Sequence, residues 1–183
     1  MLHYVGLETA ASGIDAYHPT TIHGLLQTEA YARAQSETDR PIEDFTKDSA
    51  EAHIAVRMER KRIVLAKGTK LRIILGEAAL RTEVGNAEVM AEQYRELIRL
   101  GQGNTPLSLH VLTFARAYRA ESNFAVLDLG RLPGRVQVDN AWGALSTTEK
   151  PAELRRFRTR FDTMIGAALS TDDTIDFLKQ LLE

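Results

Sequence analysis

Four stretches of the chain alternate apolar and polar residues with a period of two, which is the pattern of strands with one buried face. They cover residues 70–75, 107–114, 123–129 and 135–139, and a helical pattern separates the first from the second. Residues 130–134 (GRLPG) are short and rich in turn formers, so the last two stretches predict a hairpin. Strands assembled from separated pieces with helices around them predict an α+β fold, with a small, mostly antiparallel sheet of about four strands.

Helical periodicity covers most of the remaining chain. Thr28 and Asn86 precede two of these segments and are good N-cap residues. The last two helices form a predicted C-terminal helical pair, and no boundary divides the chain, so we predict a single domain over residues 1–183. The predicted helices cover residues 4–17, 28–36, 41–67, 77–81 (a short turn), 87–100, 151–169 and a last segment after the capping cluster at 170–173, whereas residues 139–150 are predicted to be irregular.

Composition excludes several classes of protein. The chain has no cysteine, which rules out disulfides, thiolate metal sites and cysteine nucleophiles. Its formal net charge is -2, so it lacks the basic excess of a dedicated nucleic-acid binder, and we do not expect it to bind DNA directly. No apolar run approaches the roughly 20 residues of a membrane helix, and no signal peptide is visible. We therefore predict a cytoplasmic protein without a membrane span.

The sequence offers no positive signal for catalysis, metal binding or a cofactor. Its five histidines include no pair with the helical spacing of metal ligands, and no glycine-rich phosphate loop is present. His18 and His23 lie five residues apart across a proline-containing loop. Either this loop brings the two imidazoles together, or the two histidines are unrelated loop residues. His110, beside Ser108 on a predicted strand, is either a general base near a hydroxyl or a hydrogen-bonded, half-buried histidine.

Polar residues inside apolar stretches are the strongest candidates for a binding role, because buried polar groups need partners. Glu8 or Glu77 is positioned to pair with nearby arginines in an internal network, which is either purely structural or lines a ligand pocket. The predicted ligand- or partner-binding residues are Gln27, Tyr31, Arg57, Arg60, Glu77, Arg81, Gln93 and His110.

A series of motifs resembles those of one uncharacterised domain. In chain order they are GLLQT at 24–28, YARA at 31–34, RMER at 57–60, EAALR at 77–81 followed by a Val-Gly pair, the Met-to-Leu helix at 90–97 and ALS at 168–170. These motifs are similar to those of the domain that follows the XRE-type helix-turn-helix in actinobacterial, antitoxin-like transcriptional regulators. The resemblance covers nearly the whole chain, and GLLQT and EAALR are its most specific parts.

The resemblance implies a domain that senses a small molecule or a small partner protein and supports homodimerisation, with no transferable catalytic residue. The family usually has valine and proline before GLLQT, where this chain has Ile22 and His23. A helix-turn-helix head occupies roughly 55–65 residues. Because Met1 lies at the border of the resembling domain, we expect the sensing domain here without its head.

The main expectation is therefore a ligand- or partner-sensing, dimerising regulatory domain without catalysis. The alternative is a free-standing enzyme on the same scaffold, recruited to a biosynthetic or modification pathway, in which His110, Tyr31 or Asp139 meet in a closed cavity. A third possibility is contact with a carboxylate-rich or phosphate-rich partner through the four arginines within residues 155–160.

Overall fold

The computed structural model describes residues 2–43, 47–116, 122–139 and 145–183. It is an α+β fold in which helices flank one mixed sheet. The helices are α1 (Leu2–Ala10), α2 (Glu29–Glu43), α3 (Lys47–Lys67), α4 (Glu77–Arg81), α5 (Ala87–Gln102), α6 (Pro151–Ala167) and α7 (Thr171–Gln180), with a 3-10 turn at Phe114–Arg116. The strands are β1 (Gly13–His18), β2 (Lys70–Gly76), β3 (Leu107–Leu112), β4 (Phe124–Asp128), β5 (Arg135–Asp139) and β6 (Leu145–Thr148).

The sheet has six strands in the order β3-β2-β1-β4-β5-β6. Strands β1, β2 and β3 are parallel, whereas β4, β5 and β6 join antiparallel to their neighbours. The α+β class and the β4–β5 hairpin are confirmed, but the prediction of about four mostly antiparallel strands is wrong. The parallel half arises because helices connect β1 to β2 and β2 to β3, as a parallel crossover requires.

The two strands that the sequence analysis missed are β1 and β6. Residues 4–17 were expected to form one helix, but α1 ends at Ala10 and a strand begins at Gly13. Gly13 starts that strand rather than weakening a helix, and Ile14 and Ala16 are buried in the sheet's core. Strand β6 (LSTT) lies within residues 139–150, which were predicted to be irregular, and its pairing with β5 makes it a strand.

The long helix expected from Pro41 to Lys67 is two helices. Helix α2 begins at Glu29 after its predicted cap and continues through Pro41 to Glu43, and α3 begins at Lys47. The cap itself is confirmed, because the hydroxyl oxygen of Thr28 accepts the N–H of Tyr31 at 3.2 Å. Other predicted elements are confirmed with shifts of a few residues at their ends, including β2, α4, α5, α6 and α7.

The sheet divides the core into two layers. On one face, Ile14, Ile73 and Leu109 pack against the layer that includes α2, α3 and α5. On the other face, Ile74 and Phe161 belong to a second cluster built against α6. Fully burying one large apolar side chain contributes about 1.5–3 kcal/mol, so these two layers supply most of the driving force for folding.

The two C-terminal helices are present but lie on different faces of the sheet. Helix α6 packs on the second cluster through Phe161, whereas Ile175 of α7 joins the first. The link between them and the first turn of α7 cover the edge of β3. The Val111 N–H donates to the Thr174 hydroxyl at 3.1 Å, and the Val111 carbonyl accepts the Leu169 N–H at 2.8 Å. This protection satisfies backbone groups that an open sheet edge leaves unpaired.

Candidate ligand-binding site

The GLLQT turn (residues 24–28) lies between β1 and α2, and a side chain of α5 fastens it in place. The Gln93 side-chain oxygen accepts the Thr28 N–H at 2.7 Å, and its nitrogen donates to the Leu26 carbonyl at 2.9 Å. All three residues are buried. Gln93 therefore satisfies two interior backbone groups that would be costly to leave unpaired.

Side chains of α3 hold the same turn from the other side. The Gln27 side-chain oxygen accepts from Arg57 at 2.6 Å, and its nitrogen donates to the Ile22 carbonyl at 2.8 Å. The Lys61 ammonium donates to the Gln27 carbonyl at 2.9 Å and to Glu96 of α5 at 2.7 Å. Hydrogen bonds to its backbone and to the Gln27 side chain thus hold the turn against α3 and α5.

A buried ion pair joins α1 to α3 beside the turn. Glu8 is fully buried, and its carboxylate lies 3.0 Å from Nε of Arg60, which is one of the pairings that the sequence left open. A Cβ placed on Gly24 would lie 2.6 Å from Nη2 of Arg60. A side chain at this point would displace the Arg60 guanidinium, which lies directly against the turn.

Two histidines meet where β1 ends and the turn begins. The rings of His18 and His23 contact edge to face, with centroids 4.6 Å apart. Burial and then the positive charge of Arg60 lower the pKa of His18 to about 4. Burial, His18 and the two guanidiniums of Arg60 and Arg57 hold the pKa of His23 well below its usual value. Both imidazoles are therefore neutral at physiological pH.

Glu77 and Arg81 lie at the carboxyl end of β2, one strand away from His18. The Glu77 carboxylate accepts the Phe114 N–H at 2.8 Å and pairs with Arg81, which is another of the pairings that the sequence left open. Burial raises the pKa of Glu77, but the Phe114 N–H and the Arg81 guanidinium outweigh it and hold this pKa below its usual value. Glu77 thus ties β2 to the segment that follows β3.

Tyr31 and His110 are separated by the sheet. Tyr31 is fully buried in the cluster with the GLLQT turn, whereas His110 pairs in register with Ile74 of the opposite cluster. The structure therefore does not bring these two predicted residues together. Asp139, at the end of β5, accepts a hydrogen bond from Asn123 at 3.1 Å.

His110 is held at both ring nitrogens. Its Nε2 lies 2.8 Å from the Ser108 hydroxyl and its Nδ1 lies 2.9 Å from the Leu169 carbonyl oxygen. Because a carbonyl oxygen only accepts, Nδ1 carries the proton, and in the neutral ring Nε2 accepts the Ser108 hydroxyl.

A cleft of about 360 Å³ opens beside α6 on this second face. Arg72 crosses it, bonding both carboxylate oxygens of Asp15 at 2.6 and 2.7 Å and reaching Asp162 at 3.0 Å. The Asp15 carboxylate raises the pKa of Arg72. The acidic and basic side chains that line the cleft are equal in number. The lining residues are Gly13, Asp15, Lys70, Arg72, Val126, Asp128, Arg158 and Asp162.

Five of the eight predicted site residues are therefore gathered around the GLLQT turn, two lie at the end of β2, and His110 lies on the opposite face. The sequence analysis left out His18 and His23 as site residues, although it noted that the loop between them allows contact. It also missed Gln137 of β5, which is 1% exposed although it is polar. A glutamine between two valines in an alternating strand was the available signal.

Within residues 2–43, 47–116, 122–139 and 145–183, no helix is both long and apolar enough to cross a membrane. The same part of the chain contains no cluster of three or more histidine or acidic side chains arranged to hold a metal ion.

The fold and the site define an α+β domain in which a turn at the end of β1, a strand inside a mixed sheet, is hydrogen-bonded to two helices. The chain belongs to the family described as the domain of unknown function DUF5753, whose model matches residues 1–180. None of the curated proteins matches this chain.

Proposed function

We propose that this domain senses a small molecule or a small partner protein, without catalysis, as the regulatory domain of an actinobacterial, antitoxin-like XRE-type transcriptional regulator. The observation that carries the proposal is the placement of the GLLQT turn. On one side His23 precedes the turn and contacts His18 at the sheet edge, and on the other side Gln27 and Thr28 bond to α3 and α5.

This placement supports sensing because one short segment connects a candidate contact point with two helices. A ligand that moves His23 also moves the backbone that Gln93 and Lys61 hold. Hydrogen-bond chains of this kind carry coupling between sites only if they have two arrangements that a ligand favours unequally. The proposal therefore requires a bound state in which the turn's contacts with α3 and α5 differ from those described above.

The first test is a thermal-shift screen of the whole chain with metabolites and with the product of the neighbouring gene. A ligand that binds only the folded state stabilises it by about 2.7 kcal/mol at 100 times its Kd, so a sensing domain gives a clear rise in Tm. Hydrogen exchange should then change in residues 24–28 and in the bonded parts of α3 and α5. No rise in Tm with any compound or partner would contradict the proposal.

A matched pair of variants separates binding from coupling. Arg57→Met removes the bond from α3 to the Gln27 side chain, whereas Arg62→Met removes a guanidinium on the same helix that is 69% exposed and pairs with Glu59, a neighbour on α3. We expect Arg57→Met to bind the same ligand but to lose the exchange change in α3. Arg62→Met should behave as the wild type does. If the ligand changes hydrogen exchange in α3 equally in both variants, the coupling does not pass through the Gln27 side chain.

The proposed homodimer has its own test. Val56 and Ile63 lie seven residues apart on α3, hence on one face, and are 44% and 38% exposed. Apolar residues spaced in this way on an outer helix face suit contact with a second copy of the chain. Analytical ultracentrifugation should show a dimer that Val56→Asp shifts toward monomer, and a monomeric wild type at micromolar concentration would contradict this part of the proposal.

The contact between Ser108 and His110 favours an enzyme as the second candidate. Their 2.8 Å contact, with Nδ1 of His110 fixed by a carbonyl, is the arrangement in which an imidazole withdraws a proton from a hydroxyl. A fluorophosphonate probe tests this function directly. If the probe labels the wild type but not Ser108→Ala, the enzyme is favoured. A sensing domain is expected to give no labelling.

A further inference from the structure

Gln137 of β5 is buried with its whole side-chain amide unpaired. The residue is 1% exposed, and neither its nitrogen nor its oxygen has a hydrogen-bond partner within the part of the chain that the structure describes. The large majority of buried side-chain polar atoms in native proteins are paired, because an unpaired group costs about 1–3 kcal/mol. A leucine of similar size would avoid this cost, so the amide is expected to serve something besides folding.

The sheet register places this amide on the face that carries the GLLQT turn. Gln137 pairs with Ala125, and Ala125 pairs with Ala16 of β1, so the three side chains emerge on one face. His18 is two residues beyond Ala16 and therefore shares that face. The strands of Gln137 and His18 are two positions, about 10 Å, apart, and His18 is offset by two residues, about 7 Å, along its strand. The two backbones are therefore roughly 12 Å apart, and the strand between them contributes an alanine.

His18 is a second residue on this face with a shielded and unpaired polar atom. Its Nδ1 is shielded from solvent and has no hydrogen-bond partner among the described residues. Its neighbour His23 uses Nδ1 to accept the Leu25 N–H at 3.2 Å, so in the neutral ring the proton of His23 is on Nε2. This region offers donors and acceptors that are not used within the described fold.

We propose that Gln137 and His18 flank a binding site for an uncharged ligand that presents an N–H next to a C=O, such as a carboxamide, a lactam or the edge of a nucleobase. A glutamine amide has one acceptor and two donor hydrogens, and both kinds of group are unpaired here. An amide-type edge satisfies both kinds at once. A carboxylate offers only acceptors and would leave the Gln137 oxygen unpaired, so it fits less well. This inference rests on the proposed sensing function, because it names the class of ligand that is sensed.

The first experiment asks whether the amide is unpaired in solution. Gln137→Leu is compared with Gln102→Leu, a matched change at an exposed position at the end of α5. We expect Gln137→Leu to raise the Tm of the free protein by a few degrees and Gln102→Leu to leave it unchanged. A fall in Tm for Gln137→Leu would show that the amide is paired in the folded protein and would overturn the inference. Gln137→Met provides a second variant if the leucine does not fit.

The second experiment uses uracil as the probe and 1,3-dimethyluracil, which lacks both N–H groups, as its control. In nitrogen-15 spectra of the whole chain, the side-chain amide signal of Gln137 is assigned as the one that is missing in Gln137→Leu. This signal should shift when uracil is added and should not shift with 1,3-dimethyluracil. The uracil-induced rise in Tm should disappear in Gln137→Leu and persist in Gln102→Leu. Equal binding of uracil by Gln137→Leu and by the wild type would overturn the inference. It would also be overturned if the wild type binds none of uracil, nicotinamide and 2-pyrrolidone at millimolar concentration.

Failure of this inference and failure of the sensing function give different results. A metabolite without an amide edge that raises the Tm and changes exchange in the GLLQT turn, while the Gln137 signal stays in place, overturns the inference and supports sensing. If neither a metabolite nor a partner protein changes the Tm, the sensing function fails, and the inference fails with it.

Discussion

Gln93 on α5 accepts a hydrogen bond from the backbone N–H of Thr28, 65 residues earlier in the chain, at 2.7 Å. The same side chain donates to the Leu26 carbonyl, so a single glutamine closes the GLLQT turn onto the second crossover helix of the sheet. This contact joins two motifs that are far apart in the sequence.

Replacing Gln93 by leucine should destabilise the protein strongly. The change leaves the Thr28 N–H and the Leu26 carbonyl unpaired in the interior, which costs about 2–4 kcal/mol of unfolding free energy. Urea denaturation measures this loss, and Gln102→Leu on the exposed end of the same helix is the control. Equal stabilities of the two variants would mean that Gln93 does not hold the turn in solution.

The Glu8–Arg60 pair should show strong coupling in a double-mutant cycle. Glu8→Leu alone leaves the guanidinium of Arg60, which is 12% exposed, without its buried carboxylate and should cost about 3–5 kcal/mol. The double variant Glu8→Leu/Arg60→Met removes both charges and should recover much of that loss. Chemical denaturation of the four proteins gives the coupling energy, and strictly additive losses would show that the two groups do not interact.

Acidification should weaken the fold through His18. Because the folded-state pKa is lowered to about 4 and the unfolded value is near 6.5, the unfolded chain binds more protons between these values. Stability therefore falls as pH decreases through this window, and His18 contributes about 2–3 kcal/mol of loss between pH 7 and pH 4.5.

Thermal and urea unfolding at several pH values measure this dependence. His18→Asn keeps a polar group near the position of Nδ1 but removes the titration, so its stability should depend less on pH than that of the wild type. Identical slopes for the two proteins between pH 7 and pH 4.5 would contradict the assignment to His18.

Two glycine-to-alanine changes should act in opposite directions. A Cβ on Gly76 would lie 2.4 Å from the Pro19 carbonyl oxygen, which is backbone and cannot move aside easily, so Gly76→Ala should cost about 1–3 kcal/mol. Gly6 lies inside α1, and a Cβ at this position would meet nothing within 4 Å, so Gly6→Ala should stabilise by about 0.5–1 kcal/mol through helix propensity. Tm values of the two variants on the same side of the wild type would be inconsistent with this geometry.

Local signals predicted the elements whose cause is local. The Asn86 side chain accepts the Val89 N–H at 3.0 Å, as its N-cap position predicted, and Ser170 caps α7 in the same way. By contrast, Gly13–His18 looked like the end of a helix, because its residues are compatible with either state. Pairing with β2 on one side and β4 on the other makes it the third strand of the sheet.

The candidate site was predictable only in part for the same reason. The sequence indicated that Gln27, Gln93 and Arg81 are polar residues in apolar surroundings, and it indicated Glu8 or Glu77 as a partner for Arg57, Arg60 or Arg81. It did not indicate which carboxylate pairs with which guanidinium, since Glu8 and Arg60 meet only through the packing of α1 on α3.

By itself, the sequence determined the α+β class, most helix starts, the β4–β5 hairpin and the absence of cysteine chemistry, because these follow from periodicity, capping residues and composition. Only the tertiary structure decided the mixed six-stranded order, the separation of Tyr31 from His110 by the sheet, and the meeting of His18 with His23 beside the turn. These depend on contacts between segments that are distant in sequence or on how a loop folds back. No local preference encodes them, and burial and hydrogen-bond pairing across the whole fold select them.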